Sequence, residues 1–435
     1  MRNKFTFKIE NSDLFIKKLI LISKDFSHSC CLDSNNTSYR KPPYYNNYSF
    51  IFALDYVDII KSDSNSFKKL KDFHAKYSDW MFGYLSYDLK NETHQLSSNN
   101  ESSINDSNLC FFIPKYVFIL KENSLIIEAL ASESETNTMF NKILSQNIGK
   151  TNAPKIKLKS RESKKEYLKK IKTIKSYIQR GDIYEMNYCQ EFFAENIKCI
   201  PQNIFLKLNS ISQSPFSCFL NIDDLNVMCA SPERYLFKKD NKIISQPIKG
   251  TSKRDPNIIN DKILFDKLQQ SNKDKTENIM IVDLVRNDLS ITANSSSVNV
   301  EELCKVYTFN NVHQMISTIT SNIDLKRNNF TDIIKTTFPM GSMTGAPKKR
   351  AMDLIETFEE HKRGIFSGSI GYITPDGDFD FNVVIRSIIY DTYKKYISIS
   401  VGGAITISSS EEDEYNECLV KAASMFKALN FNLDA

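Results

Sequence analysis

The chain is poor in the residues that interrupt regular structure, with 12 glycines, 12 prolines and a single tryptophan among 435 residues. That scarcity excludes collagen-like and Gly/Pro-rich low-complexity architectures. Apolar runs are short. None approaches the ~18 consecutive apolar residues of a membrane-spanning helix, and the run from Leu19 to Ile22 is too brief for the core of a secretory leader. A dominant charge is also missing: 57 Lys and Arg stand against 52 Asp and Glu, a formal charge of +5. Neither nucleic acid nor a membrane surface is implied as a partner. No CxxC pair occurs, and the nine cysteines are odd in number, so reduced thiols are expected rather than a disulfide frame or a zinc site. His28, His74, His94 and His361 show no metal-ligand spacing. These absences describe a soluble, cytoplasmic protein.

What is present is aromatic and globular. Phenylalanine (29) and tyrosine (20) are too abundant for a disordered chain, and a chain of this size can bury a large core. Residues 1–131 read as an N-terminal region of strands and loops, with apolar runs at Phe50–Leu54 and Phe111–Leu120 and a block from Trp80 to Leu89 between them. The Asn/Ser-rich stretch 91–109 reads as a long exposed loop. Residues 132–160 are polar and read as a connector, and 161–435 as a second region. There a capping box, Ser163-x-x-Glu166, opens a helix with Tyr167, Ile171, Ile174 and Ile178 at helical spacing, and Gly181 stops it. The strand that follows places Glu185 and Asn187 on one face and Tyr184, Met186 and Tyr188 on the other.

Three segments carry unusual chemistry. The stretch 339–351 puts a Gly-bearing turn before a helix with Pro347 at its start, an arrangement that favours an anion at the free N–H groups. Its spacing is not that of a P-loop. In the last helix Glu414, Glu417 and Lys421 share one face, beside an apolar stripe of Tyr415, Leu419, Ala422, Phe426 and Leu429. An acidic first turn with an ion pair to Lys421 would account for that face without any function. In a third segment Glu277 falls on the apolar side of a helix with Ile281 and Leu284. A carboxylate there needs a partner, and a Mg ion shared with Glu417 would supply one. Asp283 and Asp288 read as structural.

Taken in order, Gly181-Asp-Ile-Tyr-x-x-Asn187, Ser231-Pro-Glu-Arg234, Pro247-Ile-Lys-Gly-Thr251, Glu277-Asn-Ile-Met-Ile-Val-Asp-Leu-x-Arg-Asn-Asp288, Gly341-Ser-Met-Thr-Gly-Ala-Pro-Lys348, Ser367-Gly-Ser-Ile-Gly-Tyr372, Ile385-Arg386, Gly402-Gly403 and Glu414-Tyr-x-Glu-x-x-x-Lys421 resemble the chorismate-utilising enzymes. That family includes anthranilate synthase component I, aminodeoxychorismate synthase component I and the isochorismate and salicylate synthases. The resemblance runs continuously from about 160 to 430. It extends more loosely into the N-terminal region through Leu32-Asp-Ser and the Trp80–Leu89 block.

The resemblance implies an α+β fold of two large, mostly antiparallel sheets packed together, with helices outside and the active site in a cleft between them. It also implies a Mg-dependent reaction on chorismate. The metal ligands map to Glu277 and Glu417. Lys421, Arg386, Tyr372 and the backbone at Gly402 and Gly403 match positions that hold the substrate carboxylates, and Thr344 lies in the turn that closes over the ligand. Glu233 matches the general acid that protonates the departing C4 hydroxyl. Lys249, where anthranilate synthases carry Ala, marks the aminodeoxychorismate-forming type, in which the lysine amine attacks C2 before ammonia displaces it at C4. Such a lysine must be neutral, so a depressed pKa is expected.

Two positions depart from the family. Glu185 replaces the Lys of isochorismate-forming members and the Gln usual in amino-transferring ones, so it is expected to bind or deprotonate incoming ammonium. Gln314, not His, precedes the Met315-Ile-Ser run. His313 falls one residue earlier, on the opposite side of a strand, and no catalytic role is carried over to it. Nothing in the sequence pairs a nucleophilic cysteine with a glutaminase triad, so a separate glutamine amidotransferase is expected to supply ammonia. The rival readings are an anthranilate synthase component with an unusual lysine, and a chorismate-binding subunit without turnover.

Overall fold

The computed structural model describes residues 2–35, 48–149 and 155–431. Every strand pairing in it is antiparallel. The strand Leu109–Lys121 is the branch point. It pairs with Phe50–Ser62 along its length, while its far edge is shared between Met81–Leu85 near its start and Ser124–Ala129 near its end. From this strand the ladder runs in two directions. One arm passes through Phe50–Ser62, His28–Asp33, Phe216–Ile222, Leu225–Ser231, Ser387–Asp391 and Tyr396–Ile405 to Glu185–Ala194. The other passes through Met81–Leu85, Ser369–Ile373, Phe379–Asn382, Arg234–Lys239 and Lys242–Gln246 to Val312–Asn322. The expected two sheets are therefore two arms of one continuous hydrogen-bonded ladder.

Period-two burial explains how the arms stack. Ile51, Leu220, Val227 and Ile389 from the first arm meet Leu236, Ile319, Ile370 and Phe379 from the second in one apolar cluster, which the helices Ser66–Tyr77, Asn272–Ser290 and Phe330–Thr337 join. The opposite face of the first arm (Phe52, Phe118, Phe219, Met228, Ile399) is covered by Ser12–Ile22, Lys164–Gln179, Pro201–Ser212, Lys348–Phe358 and the last helix, Glu411–Ala428. Burying both faces of a sheet is what so many Phe, Ile and Leu on consecutive strands require.

Local signals held where they are local. Ser163 caps Lys164–Gln179 with the reciprocal Glu166 bond, and Gly181 lies beyond its end at φ +85°. Three stretches differ from the sequence reading. The run Leu19–Ile22 forms the inner face of the helix Ser12–Ile22. The 91–109 stretch starts inside a short helix, Lys90–His94, and its coil is tied down by Glu356, which accepts from the backbone N–H of Asn99 and Asn100. Within 132–160 stands a helix, Glu133–Ser145, with its own capping box at Ser132 and Glu135; residues 150–154 lie outside the described residues. The N-terminal strands pair directly with strands of the second region, His28–Asp33 with Phe216–Ile222 and Met81–Leu85 with Ser369–Ile373.

Candidate active site

Lys249 stands in a bulge. Ile248 pairs with Ile316 and Thr251 with Gln314, so Lys249 and Gly250 oppose a single residue of the partner strand. A bulge re-aims the side chain it carries. Gly250 has φ +89°, and an added Cβ would come within 2.9 Å of Asp274, so the Lys-Gly order serves both the turn and the close approach of the helix Asn272–Ser290. The Lys249 side chain is 10% exposed and its Nζ lies 3.8 Å from Glu185 Oε1. Burial works against its charge, but Glu185, Glu277, Glu233 and Glu417 together raise its pKa above the ordinary lysine value. The expected depressed pKa is thus not a property of the free site: four carboxylates outweigh desolvation and hold the amine protonated.

Those carboxylates arrive from four separate elements. Glu185 is the first residue of its strand, and its Oε2 has no hydrogen-bond partner among the described residues. Glu233 lies between the strands Leu225–Ser231 and Arg234–Lys239 and accepts a 2.6 Å hydrogen bond from Ser342 Oγ. Burial pushes its pKa up to about 7, although Ser342, Lys249, the Ile248 N–H and Lys421 all favour the ionised form. Glu277 comes from the helix Asn272–Ser290. Its pKa also rises to about 7, chiefly through burial, against Lys249 and Lys273. Glu417, on the last helix, is held low by Lys421, 2.7 Å away.

The Lys421 ammonium also donates to Gly402 O at 2.7 Å. Gly403 leaves room beside it, because a Cβ there would come within 2.9 Å of Glu414 Oε2 and 3.5 Å of Lys421 Nζ. Arg386 takes a left-handed backbone, φ +54°, a strained conformation of the kind kept at sites. Its guanidinium donates to Lys421 O, and burial lowers its pKa to about 10 with Glu417 only partly compensating. Thr344 ends the turn Gly341–Met343. Its hydroxyl donates to Met340 O, and its carbonyl accepts from Asn187 N–H. Gly345 docks this turn on the start of the Glu185 strand, where any Cβ would strike Glu185 O at 2.3 Å.

One expected residue is elsewhere. Along the strand Ser369–Ile373, Tyr372 shares a face with Ile370, and that face lines a separate cavity with Leu32, Asp33, Tyr48 and Phe216. Its ring packs on Trp80, Tyr48 and Phe82. None of the four carboxylates near Lys249 lines that cavity. His313 also lies apart, bonded to Asp261 and Thr308 and stacked edge-on with Phe265. Asp288 is structural as expected, in a buried pair with Lys348.

Two further groups belong to the site. Lys273 Nζ bridges Glu277 Oε1 at 4.0 Å and Glu414 Oε1 at 3.7 Å. Glu414 is 3% exposed and accepts from Ser409 Oγ. The i, i+4 spacing of Lys273 and Glu277 was a visible signal for the first, and the shared helix face with Glu417 for the second. For a metal, Glu277 and Glu417 offer hard oxygen donors from two facing helices. Glu277 Oε1 is buried without a hydrogen-bond partner among the described residues, and its raised pKa shows that the nearby amines do not fully compensate its charge. Among the described residues no three His, Cys, Asp or Glu side chains are arranged as a metal site. An ion here would take two carboxylates and draw its other ligands from substrate or water, a pattern that suits Mg.

Residues 30–427 match the family described as chorismate binding enzyme. Aminodeoxychorismate synthase component 1 of Escherichia coli K12 is 37% identical over 270 residues, covering 62% of this chain and 59% of that protein. The probable chloroplastic aminodeoxychorismate synthase of Oryza sativa subsp. japonica is 32% identical over 400 residues, 82% of this chain and 44% of the rice protein. Anthranilate synthase component 1 of Aquifex aeolicus is 34% identical over 271 residues, 62% of this chain and 54% of that protein. The chain thus spans about half the length of the curated relatives it matches. Among solved structures, anthranilate synthase component I from Streptococcus pneumoniae shares the fold with a TM-score of 0.76 at 23% identity, over 89% of this chain and 94% of that one. The menaquinone-specific isochorismate synthase from Escherichia coli does so with a TM-score of 0.78 at 15% identity, over 99% of this chain and 94% of that one. No helix among the described residues is long and apolar enough to cross a membrane.

Proposed function

The chain belongs to the chorismate binding enzyme family, and we propose that it carries out the reaction of aminodeoxychorismate synthase component I, converting chorismate and ammonia to 4-amino-4-deoxychorismate, the precursor of p-aminobenzoate and folate. The observation that carries this reading is the enclosure of Lys249: an amine 10% exposed, facing Glu185, Glu233, Glu277 and Glu417. An ordinary lysine is solvated; one built into a bulge among carboxylates is placed to react.

In this reading Arg386, Lys421 and the backbone at Gly402 and Gly403 bind the carboxylates of chorismate, with the forked guanidinium suited to one of them. Glu277 and Glu417 hold a Mg ion, which when bound supplies Lewis-acid polarisation of the ring carboxylate. Glu233, kept protonated near neutrality, delivers its proton to the C4 hydroxyl, which leaves as water while the neutral amine of Lys249 forms a bond to C2 and the ring double bonds shift. Ammonia then attacks C4 and the C2–N bond to Lys249 breaks. The amine must first lose its proton. Glu185 lies 3.8 Å away, with one oxygen that has no hydrogen-bond partner among the described residues, and it accepts that proton or one from incoming ammonium. Ammonia is supplied by a separate glutamine amidotransferase.

Incubation with chorismate, Mg and excess ammonium, followed by mass spectrometry with and without an aminodeoxychorismate lyase, tests this reading. A product that the lyase converts to p-aminobenzoate supports it. Fluorescent anthranilate formed without lyase would assign the chain to the anthranilate synthase reaction. No product, even with an amidotransferase and glutamine present, would leave a binding subunit.

A further inference from the structure

Ser342 has no task in the chemistry above, yet it makes the closest contact to the proposed proton donor. Its hydroxyl donates to Glu233 Oε1 at 2.6 Å across 109 positions of sequence. Both residues are buried, Ser342 7% and Glu233 5% exposed. The turn that carries it is held from three directions. Asn187 Nδ2 donates to Ser342 O at 3.2 Å. Arg363 Nη1 donates to Met343 O at 2.7 Å. On the third side Gly341 lies against the helix Asn272–Ser290, so closely that an added Cβ would come within 2.7 Å of Leu284 Cδ2.

Arg363 is itself pinned. Its guanidinium forms a fork with Glu359 at 2.6 and 2.8 Å, both side chains are 1% exposed, and Nη2 reaches Asn187 O at 3.0 Å. Glu359 Oε1 in turn accepts the Cys189 N–H at 2.9 Å. One buried ion pair therefore ties the Ser342 turn to the strand that begins with Glu185. The other groups facing Glu233 are the Lys249 and Lys421 ammoniums and the Ile248 N–H. Both amines sit on long side chains engaged with other carboxylates. Ser342 is short, buried and fixed by its backbone.

We infer that Ser342 is the positioning residue of the proton donor: its hydroxyl holds Glu233 Oε1, so that the proton resides on Oε2 and leaves from there, and the Arg363–Glu359 pair holds the turn that holds Ser342. The inference rests on the reading of Glu233 as the acid. In the transfer, the Oε2–H bond breaks, a bond to the departing C4 oxygen forms, and the carboxylate left behind keeps the Ser342 hydrogen bond. That bond favours the ionised form, so it strengthens the acid as well as orienting it.

The test is an infrared titration of the buried carboxyl in the metal-free protein, assigned by its loss in Glu233→Gln, alongside the pH profile of kcat. Removing the hydroxyl in Ser342→Ala raises the titration midpoint by about one to two pH units. It moves the alkaline limb of kcat the same way and lowers the plateau, with KM for chorismate little changed. Ser342→Thr, which keeps the hydroxyl, restores the parental midpoint. Ser342→Cys, a weaker donor of similar size, moves it upward and covers the case in which the alanine variant fails to fold. An unchanged midpoint in both the Ala and Cys variants overturns the inference, whatever product the enzyme makes. A midpoint that moves while the alkaline limb stays fixed removes Glu233 from the proton-donor role and overturns the reading beneath it.

Discussion

Replacing Glu233 with Gln should make the metal-free protein more stable above neutral pH while disabling it. In the folded protein the Glu233 carboxyl titrates at about 7 instead of 4.5 because burial penalises its charge. The sign follows from proton binding. Between those two values the folded state holds a proton that the unfolded chain has already released, so stability falls as pH rises through this window. The shift is about 2.5 units; at 1.36 kcal/mol per unit the carboxylate costs roughly 3 kcal/mol at pH 8 and almost nothing below pH 4.5. Glutamine fits the same space. Its oxygen can accept the Ile248 N–H, and its amide can donate to the Ser342 hydroxyl once that rotor turns. Denaturant unfolding of the parent and Glu233→Gln at pH 5.0, 6.5 and 8.0 measures the difference. The gain of the variant should grow from a little under ~1 kcal/mol at the lowest pH to about 3 kcal/mol at the highest, while turnover of chorismate falls on the order of 10²–10⁴-fold with the loss of a general acid. A gain independent of pH, or a variant less stable than the parent at pH 8, would refute the claim that this carboxyl is held against its charge by burial.

Gly403→Ala forces a Cβ to within 2.9 Å of Glu414 Oε2, so KM for chorismate should rise about tenfold, roughly 1.4 kcal/mol, with thermal stability nearly unchanged; a parental KM in steady-state kinetics would place the carboxylate pocket elsewhere. Glu359→Gln leaves the fully buried Arg363 guanidinium without its counter-charge and should cost about 3–5 kcal/mol in denaturant unfolding; a loss under 1 kcal/mol would mean that water or another acceptor replaces the carboxylate. Tyr372→Phe should leave kcat/KM for chorismate within about twofold of the parent, because the ring packs with Trp80 and Phe82; a tenfold loss would return Tyr372 to the substrate site.

Features that depend on near neighbours along the chain could be read without the fold. Ser163 and Glu166 specify a capping box within three residues, and the box forms. Alternation from Glu185 to Phe192 sets which side chains face the core, and Met186, Tyr188 and Phe192 lie in it. Helical spacing put Glu417 and Lys421 on one face, where they pair. The ordered motifs carried the family, and with it the arrangement of two packed sheets. The tertiary structure alone decided what depends on neighbours through space. Lys249 is flanked by Ile248 and Gly250, and nothing there says whether its amine is neutral; its charge state is a sum over Glu185, Glu233, Glu277 and Glu417, brought in from one strand, one connection between strands and two helices. Coulomb energy falls with distance rather than with separation in sequence, so no local pattern records that sum. Tyr372 shows the same limit for direction, since a motif names the residue but the register of its strand against Met81–Leu85 chooses the face. Ser342 and Glu233, joined by one hydrogen bond across 109 positions, become partners only when the Gly341–Met343 turn docks beside the connection that carries Glu233.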